Sequence, residues 1–152
     1  MKVLVKSFHM ETNDIVRENS SEAINNEIDQ NIHENLNKYY NNQELIGQRL
    51  QELEEEWDVE RMLSLNAATL SLAGILLGLT SSKKWLLLPL AATGFLVQHA
   101  TKGWCPPLEI IRRLGFRTRK EIDKEKYALK AIRGDFKYLL DVPNAVWDAV
   151  ER

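Results

Sequence analysis

Residues 62–101 read MLSLNAATLSLAGILLGLTSSKKWLLLPLAATGFLVQHAT, and Lys83 and Lys84 are the only acidic or basic residues among them, His99 apart. The two lysines divide the stretch into two apolar runs. A helix rises about 1.5 Å per residue, so roughly 20 apolar residues cross a hydrocarbon core of about 30 Å. The stretch therefore predicts a two-span transmembrane hairpin over residues 61–104, with helices at 62–82 and 85–104. The alternative is the buried core of a soluble helical bundle, for which a 152-residue chain offers little protein to wrap around two apolar helices.

The overall composition hides this concentration of apolar residues. Hydrophobic residues make up 44% of the chain, charged residues 28%, and the formal net charge is −2, as in many soluble domains. The single cysteine, Cys105, excludes an internal disulfide and any multi-cysteine metal site. With no phosphate loop, paired histidine motif or nucleophile elbow, we expect no catalytic site, no metal and no cofactor.

Aromatic and basic residues flank the two apolar runs. Trp57 precedes the first run, and Trp85 and Trp104 begin and end the second, which predicts interface anchors at the level of the lipid headgroups. Lys83 and Lys84 stand alone in the connection, whereas basic residues crowd the other ends, namely Arg61, Lys102, Arg112, Arg113, Arg117, Arg119 and Lys120. The positive-inside rule then places both termini in the cytoplasm, with the lipid bilayer as the partner of the hairpin.

Small residues recur along one side of each predicted span. The first carries Ala67, Ser71, Gly74 and Gly78, and the second carries Ala91 and Gly94, followed by Gln98 and Thr101. Small residues let two helix backbones approach closely in lipid. Two interpretations stay open: the two rows face each other within the chain, or one of them mediates a homodimer.

Gln98 and His99 are candidate intramembrane polar residues near the end of the second run. Such groups form hydrogen bonds between helices, bind metal or haem, or relay protons. Because His9 and His33 are remote in sequence, a structural hydrogen bond is the favoured interpretation.

Cys105 follows the second run in the segment GWCPP, residues 103–107, which predicts a helix stop and a turn. A thiol beside basic residues can have a lowered pKa and act as a sulfur acceptor, a redox thiol or a lipidation site. The plainer interpretation is an inert thiol at a turn, because no partner base or second cysteine is evident.

The segment EWDVER at residues 56–61, the apolar runs with Gly78, Trp85 and Gly94, and then Cys105-Pro106 and Leu114-Gly115 resemble the YgaP-like transmembrane family. Residues 115–118 and 133–136 resemble extended members of that group, so the resemblance covers roughly residues 55–136. The resemblance implies a short two-helix domain of the bacterial inner membrane without an established activity. It also makes Cys105 the counterpart of the family's cysteine after the second span. Some members are fused to a rhodanese domain, whose active-site loop this chain lacks.

The flanking regions are predicted to be helical and cytoplasmic. Residues 1–20 show no sustained period and are expected to be a mobile tail. Residues 21–60 carry two amphipathic stripes suited to helix or coiled-coil packing, formed by Ile24, Ile28, Ile32 and Leu36 and then by Ile46, Leu50, Leu53 and Trp57.

Residues 105–152 are predicted to form a cytoplasmic and interfacial helical region. A short helix is expected over residues 107–114, followed by a helix that starts with a capping box, Thr118 with Glu121, and ends at Gly134. The mixed charges of this second helix favour a solvated, salt-bridged face over nucleic-acid binding.

The sequence thus predicts an all-α, non-enzymatic protein of the bacterial inner membrane: an anchor with two spans that holds cytoplasmic helices and self-associates. Two alternatives remain, a membrane component that handles sulfur or thiols through Cys105, and a soluble helical bundle.

Overall fold

The computed structural model describes residues 14–137, and the regular structure within this range is entirely helical. This confirms the all-α prediction for the described part of the chain. Most of the predicted tail, residues 1–13, and the last fifteen positions of the C-terminal region, residues 138–152, lie outside the described residues.

Seven α-helices and two short 3-10 helices follow one another between residues 14 and 137. The α-helices are α1 (Ile15–Glu18), α2 (Glu22–Tyr40), α3 (Ile46–Glu55), α4 (Val59–Thr80), α5 (Leu87–Lys102), α6 (Pro106–Arg113) and α7 (Arg119–Arg133). The 3-10 helices, Gln43–Leu45 and Lys83–Leu86, precede α3 and α5. We call α1, α2, α3, α6 and α7 the head, and α4 with α5 the apolar pair.

The core of the head forms where α2 and α3 pack against α7. Ser21 caps α2 by accepting a hydrogen bond from the Ile24 N–H, and Asn41 ends the helix. Ile28 and Ile32 of the first predicted stripe are buried. Three residues of the second stripe join Tyr39 and two residues of α7 in one cluster, which consists of Tyr39, Ile46, Leu50, Leu53, Ile122 and Leu129. Trp57, predicted at the end of the second stripe, lies beyond α3 and is exposed.

The segment 14–20, predicted to be part of a mobile tail, is folded onto the rest of the head. Asp14 caps the four-residue α1 and also accepts a hydrogen bond of 2.7 Å from the Thr118 hydroxyl, and Val16 is buried. The sequence gives no hint of this because the contacts of α1 come from residues about a hundred positions later.

The apolar pair runs antiparallel. Gly74 lies against Pro89 and Gly78 against Leu86, while Glu60 at the start of α4 meets His99 at the end of α5. Asp58 caps α4 at its N-terminus, and Ser81 ends the helix.

The second helix is shorter than predicted, since α5 covers Leu87–Lys102 rather than residues 85–104. Trp85 belongs to the preceding 3-10 helix, and Gly103 ends α5 in the left-handed conformation. Within residues 14–137, one helical stretch, Gln43–Thr80, contains a window long and apolar enough to cross a membrane, and 11% of that window is buried. The first predicted span thus coincides with a candidate, whereas the second, at 16 helical residues, does not reach the usual length.

The turn after α5 leads directly into α6. Cys105 occupies the N-cap position and Pro106 the first position of the helix, where its missing N–H costs nothing. The predicted capping box is confirmed, because Thr118 and Glu121 exchange both hydrogen bonds at the start of α7, and Gly134 ends that helix as predicted.

Candidate functional site

Charged side chains fill the centre of the head. Arg112 of α6 is 1% exposed, and its guanidinium donates hydrogen bonds of 2.6 and 2.9 Å to the two carboxylate oxygens of Glu121. It also donates to the Asn25 side-chain oxygen at 2.9 Å and thereby joins α2 to α6 and α7. A bidentate guanidinium–carboxylate pair of this kind fixes the distance and the orientation of the helices that carry it.

A second set of ion pairs lies beside the first. Arg117 donates to Glu125 at 2.5 Å and to Glu56 at 2.7 Å, and Glu125, which is fully buried, also accepts a hydrogen bond of 3.0 Å from Arg49. Arg17 of α1 completes the arrangement through a 2.8 Å bond to Glu121. We call these residues the arginine–glutamate network, which consists of Arg17, Arg49, Arg112, Arg117, Glu56, Glu121 and Glu125.

The network corrects the prediction that α7 presents a solvated charged face. Glu121, Glu125 and Lys130 are all buried. Burial by itself raises the pKa of Glu121, but the hydrogen bonds from Arg112 and from the Thr118 N–H outweigh that effect, and the net shift lowers the pKa. The carboxylate is therefore ionised at neutral pH although it is buried.

A separate cluster forms where the head meets the apolar pair. His99 lies in the last turn of α5, and its Nε2 is 3.1 Å from both carboxylate oxygens of Glu60 in the first turn of α4. Its Nδ1 is 3.8 Å from the Sγ of Cys105. The structure therefore joins His99 and Cys105, two residues that the sequence singled out separately, and adds Glu60, which it did not.

The environment of Cys105 differs from the one expected beside a basic cluster. Cys105 is fully buried among Val16, Val59, Leu63, Leu108 and Ile111. Burial raises the pKa of the Cys105 thiol, the Leu108 N–H opposes this in part, and the negative charge of Glu60 raises the pKa further. The lowered thiol pKa suggested by the sequence is therefore not found.

The predicted small-residue rows have different surroundings. On α4, Ala67 and Gly74 are buried, and a Cβ added to Gly74 would lie 2.4 Å from the Pro89 side chain. On α5, Ala91 and Gly94 are exposed, and no atom lies within 4 Å of a Cβ added to Gly94. The residue of α5 that is buried instead is Ala92.

Two further predicted polar positions lie in or near the apolar pair. Gln98 is half-buried. Ser71 has the one buried side-chain oxygen or nitrogen without a hydrogen-bond partner in the described part of the chain. The hydroxyl of Ser71 is thus a buried polar group that lacks a hydrogen bond in the largely apolar helix α4.

The three predicted anchor residues are all partly exposed. Trp57 and Trp104 are each 39% exposed and Trp85 is 46% exposed. The guanidinium of Arg61 lies 4.1 Å from the centre of the Trp57 ring, a cation–π contact that holds the indole beside a positive charge.

Large apolar side chains are exposed over most of the apolar pair. They are Leu65, Leu70, Leu72, Ile75, Leu76, Leu77, Leu79, Trp85, Leu86, Leu87, Leu90, Phe95 and Val97. Single exposed apolar residues are ordinary on a soluble protein, but a continuous apolar surface indicates a partner or a membrane.

The cavities of the described residues offer little to a small molecule. A shallow cleft of about 340 Å³ lies beside the arginine–glutamate network, where Arg112, Arg117 and Glu56 already bind one another or other residues of the network. Within residues 14–137, no group of three or more His, Cys, Asp or Glu side chains is arranged to hold a metal ion.

No protein-family model, no curated protein and no solved structure matches this chain. The resemblance to the YgaP-like family therefore stays a prediction from the sequence. The structural features that bear on function are the arginine–glutamate network, the cluster around His99 and the exposed apolar side chains of the apolar pair.

Proposed function

We propose that this chain is a non-enzymatic membrane anchor of the bacterial inner membrane. In this proposal α4 and α5 cross the bilayer as two spans, and the head, with both termini, lies on the cytoplasmic side. The observation that carries the proposal is the number of large apolar side chains that the pair exposes, among them Leu72, Leu79 and Leu90, each more than 60% exposed. Exposing their surface to water costs about 25 cal/mol for every Å².

The distribution of charge supports the same arrangement. Between Met62 and Thr101 the apolar pair carries no acidic or basic side chain apart from His99 and the two lysines of its connection, Lys83 and Lys84. Long lysine side chains at the end of a span can reach the headgroup region while their stems stay in the apolar layer. Basic residues are concentrated at the opposite end, where the head begins, as the positive-inside rule requires of a cytoplasmic side.

The lengths of the two helices set a condition on the proposal. At about 1.5 Å per residue, α4 spans roughly 33 Å and α5 roughly 24 Å, so α5 alone falls short of a core of about 30 Å. The 3-10 helix Lys83–Leu86 lengthens the second crossing, and Trp85 and Trp104 sit at its two ends. Local thinning of the bilayer covers a remaining mismatch at a modest cost.

The proposal also includes self-association of the chain through α5. Gly74 and Gly78 are occupied by contacts with α5, which leaves Ala91 and Gly94 on the open side of α5 for a second copy. Crosslinking in membranes, compared between the natural chain and Gly94→Leu, tests this part separately.

Membrane fractionation is the first experiment. Membranes that hold the expressed protein are washed with alkaline carbonate and then extracted with detergent. Release by detergent alone supports the anchor. Recovery in the soluble fraction would contradict it, and the exposed apolar surface would then have to be the contact between copies in a soluble bundle.

Cysteine labelling then tests the number of spans. In a Cys105→Ser background, single cysteines replace Ser82 in the connection or Asn41 in the head, both of which are exposed. We expect a membrane-impermeant maleimide to label the Ser82→Cys variant in intact cells and the Asn41→Cys variant only after permeabilisation. Equal protection of both positions in intact cells would exclude two complete spans.

A further inference from the structure

The cluster of Glu60, His99 and Cys105 has the order of a thiol–imidazole–carboxylate relay. A carboxylate of this kind accepts hydrogen bonds, so the Nε2 of His99, 3.1 Å from both oxygens of Glu60, is the nitrogen that carries hydrogen. In the neutral ring, Nδ1 is then the acceptor, and it faces the Cys105 Sγ at 3.8 Å. The thiol hydrogen thus points to a base whose tautomer is fixed by a third group, which is the arrangement of an activated nucleophile.

We propose that Glu60, His99 and Cys105 form a latent thiol site, covered by α1, that reacts with small disulfides when α1 moves aside. Cys105 is the nucleophile, His99 is its general base, and Glu60 is a positioning residue that acts through His99. The proposal does not depend on whether the apolar pair lies in a bilayer, because the cluster and its cover are formed within one chain.

The cover consists of α1 and its first residues. Val16 belongs to the same buried cluster as Cys105, and Ile15 lies so close to Gly103 that a Cβ there would be 1.9 Å from the Ile15 Cγ2. Polar contacts with α2 and with the start of α7 hold this four-residue helix in place: Asp14 accepts a hydrogen bond from Thr118, Arg17 pairs with Glu121 and with Asp29, and Asn25 donates to the Arg17 carbonyl oxygen. A reagent therefore reaches the sulfur only after α1 moves away or after a covering side chain of α1 is truncated.

A base is required because the thiol does not ionise by itself at neutral pH. Burial and the charge of Glu60 both raise the pKa of Cys105. The side chains that α1, α4 and α6 contribute to the cluster around the sulfur, Val16, Val59, Leu63, Leu108 and Ile111, do not titrate. His99 is then the group that takes the proton, and the carboxylate of Glu60 stabilises the imidazolium that forms.

The reaction with a disulfide balances without a further reagent. The Cys105 sulfur attacks one sulfur of the disulfide while its proton moves to His99 Nδ1. A new sulfur–sulfur bond forms, the original one breaks, and the departing thiolate takes the proton from His99. Since Cys105 is the only cysteine of the chain, the mixed disulfide has no internal resolving thiol and is released by a second external thiol.

The test measures how fast the full-length chain, in detergent, releases the chromophore of dithiodipyridine, a small neutral disulfide. Val16→Ala removes part of the cover, and Ile110→Ala, at a position 64% exposed on α6, is the matched control. We expect Val16→Ala to raise the rate at neutral pH about tenfold or more and Ile110→Ala to leave it unchanged. An unchanged rate for Val16→Ala would overturn the proposed cover.

The role of His99 is tested in the Val16→Ala background. At alkaline pH the thiol ionises without help, so the rate there reports access alone, and the ratio of neutral to alkaline rates isolates the base. General-base catalysis contributes roughly 10² to 10⁴ in rate, so we expect His99→Gln to lower this ratio about a hundredfold. Glu60→Gln is expected to lower it less, and Glu60→Asp to restore part of it.

The same ratio for Val16→Ala and Val16→Ala/His99→Gln would overturn the thiol site and leave Cys105 as an inert core residue. Circular dichroism of each variant verifies that the helices persist. Because the ratio compares two rates of the same variant, a change in packing that alters access cancels from it.

Discussion

The head and the apolar pair are built in opposite ways. The head places charge at its centre, where Arg112 and Glu125 are at most 1% exposed, whereas the pair places leucine on its outside, with Leu79 79% exposed. In the head, ion pairs and a hydrophobic cluster together fill the inside. In the pair, Gly74 lies against Pro89 and Gly78 against Leu86, whereas Leu72, Leu79 and Leu90 are exposed. The buried side chains of the head are thus partly charged, while the exposed side chains of the pair are largely apolar.

The largest effect is expected from breaking the charged centre of the head. Losing one partner of a buried ion pair costs about 3–5 kcal/mol when the other charge is left uncompensated. Glu121 would keep its bonds from Arg17 and from the Thr118 N–H, so we expect Arg112→Met to lower the free energy of unfolding by the lower end of that range, about 3 kcal/mol. The matched control is Arg113→Met, because the neighbouring Arg113 side chain is 72% exposed in its pair with Glu109, and such pairs contribute at most about 1 kcal/mol. Denaturant unfolding in detergent measures both.

A double substitution sharpens this prediction. Arg112→Met with Glu121→Met removes both members of the bidentate pair, and Arg17 keeps its ion pair with Asp29. We expect the double variant to be more stable than Arg112→Met alone, because no buried carboxylate is left without its main partner. Equal losses for the Arg112 and Arg113 variants would show that the network contributes no more than a surface pair.

The next effect tests the outside of the apolar pair. Leu76 is 54% exposed about two thirds of the way along the predicted first span. An aspartate costs up to about 2.5–3.5 kcal/mol in a membrane, the value at the centre of a span, but little in water. We expect Leu76→Asp to reduce the fraction retained after a carbonate wash. Leu45→Asp, at a position 42% exposed in the head, is expected to change nothing. Full retention of the Leu76 variant would contradict the membrane environment of α4.

A smaller effect is expected inside the pair. A Cβ at position 74 would lie 2.4 Å from the Pro89 Cδ and 3.1 Å from the Trp85 carbonyl oxygen, so Gly74→Ala should cost about 1–3 kcal/mol through overpacking. Gly94→Ala meets no atom within 4 Å and should be neutral or stabilising by up to about 1 kcal/mol. Thermal unfolding followed by circular dichroism separates the two glycines, and a reversed order would contradict the antiparallel contact.

The smallest effect is expected when the pH is lowered. The pKa of Glu121 is lowered by folding, so its contribution to stability is present above its ordinary value of 4.5 and is lost as the pH falls through the lower value in the folded head. The pair has no carboxylate between residues 62 and 101. We therefore expect protection from hydrogen exchange, measured relative to the intrinsic rate at each pH, to fall in α7 before it does in α4 below about pH 4.5. Glu121→Gln should reduce this pH dependence, and simultaneous loss of protection in both helices would argue against separate units.

Local sequence signals predicted several helix ends. Thr118 with Glu121, Gly103 and Gly134 act at or within a few residues of a helix end, so the linear sequence is sufficient to find them. The apolar stripes of α2 and α3 were also evident, because burial follows the helical period.

Local sequence signals could not reveal the arginine–glutamate network or the cluster of Glu60, His99 and Cys105. Arg112 and Glu121 lie on different helices, and His99 and Cys105 are brought together only by the turn at Gly103. One signal was present for α7: Glu121 and Glu125 are spaced four residues apart beside Ile122 and Leu129, on the side of the helix that is buried. An acidic residue on the apolar face of a helix indicates a buried ion pair when a neighbouring helix carries arginine. The sequence alone does not say which helix is the neighbour.

The contacts of α1 imply that it finishes docking only after most of the chain has been synthesised. Asp14 binds Thr118 and Arg17 binds Glu121, in each case across 104 positions of sequence. On the ribosome, α1 is therefore made long before Thr118 and Glu121, although its nearer partners Asn25 and Asp29 follow it closely. Synthesis and assembly run in opposite order, and Cys105 emerges from the ribosome before the last residues that fasten its cover.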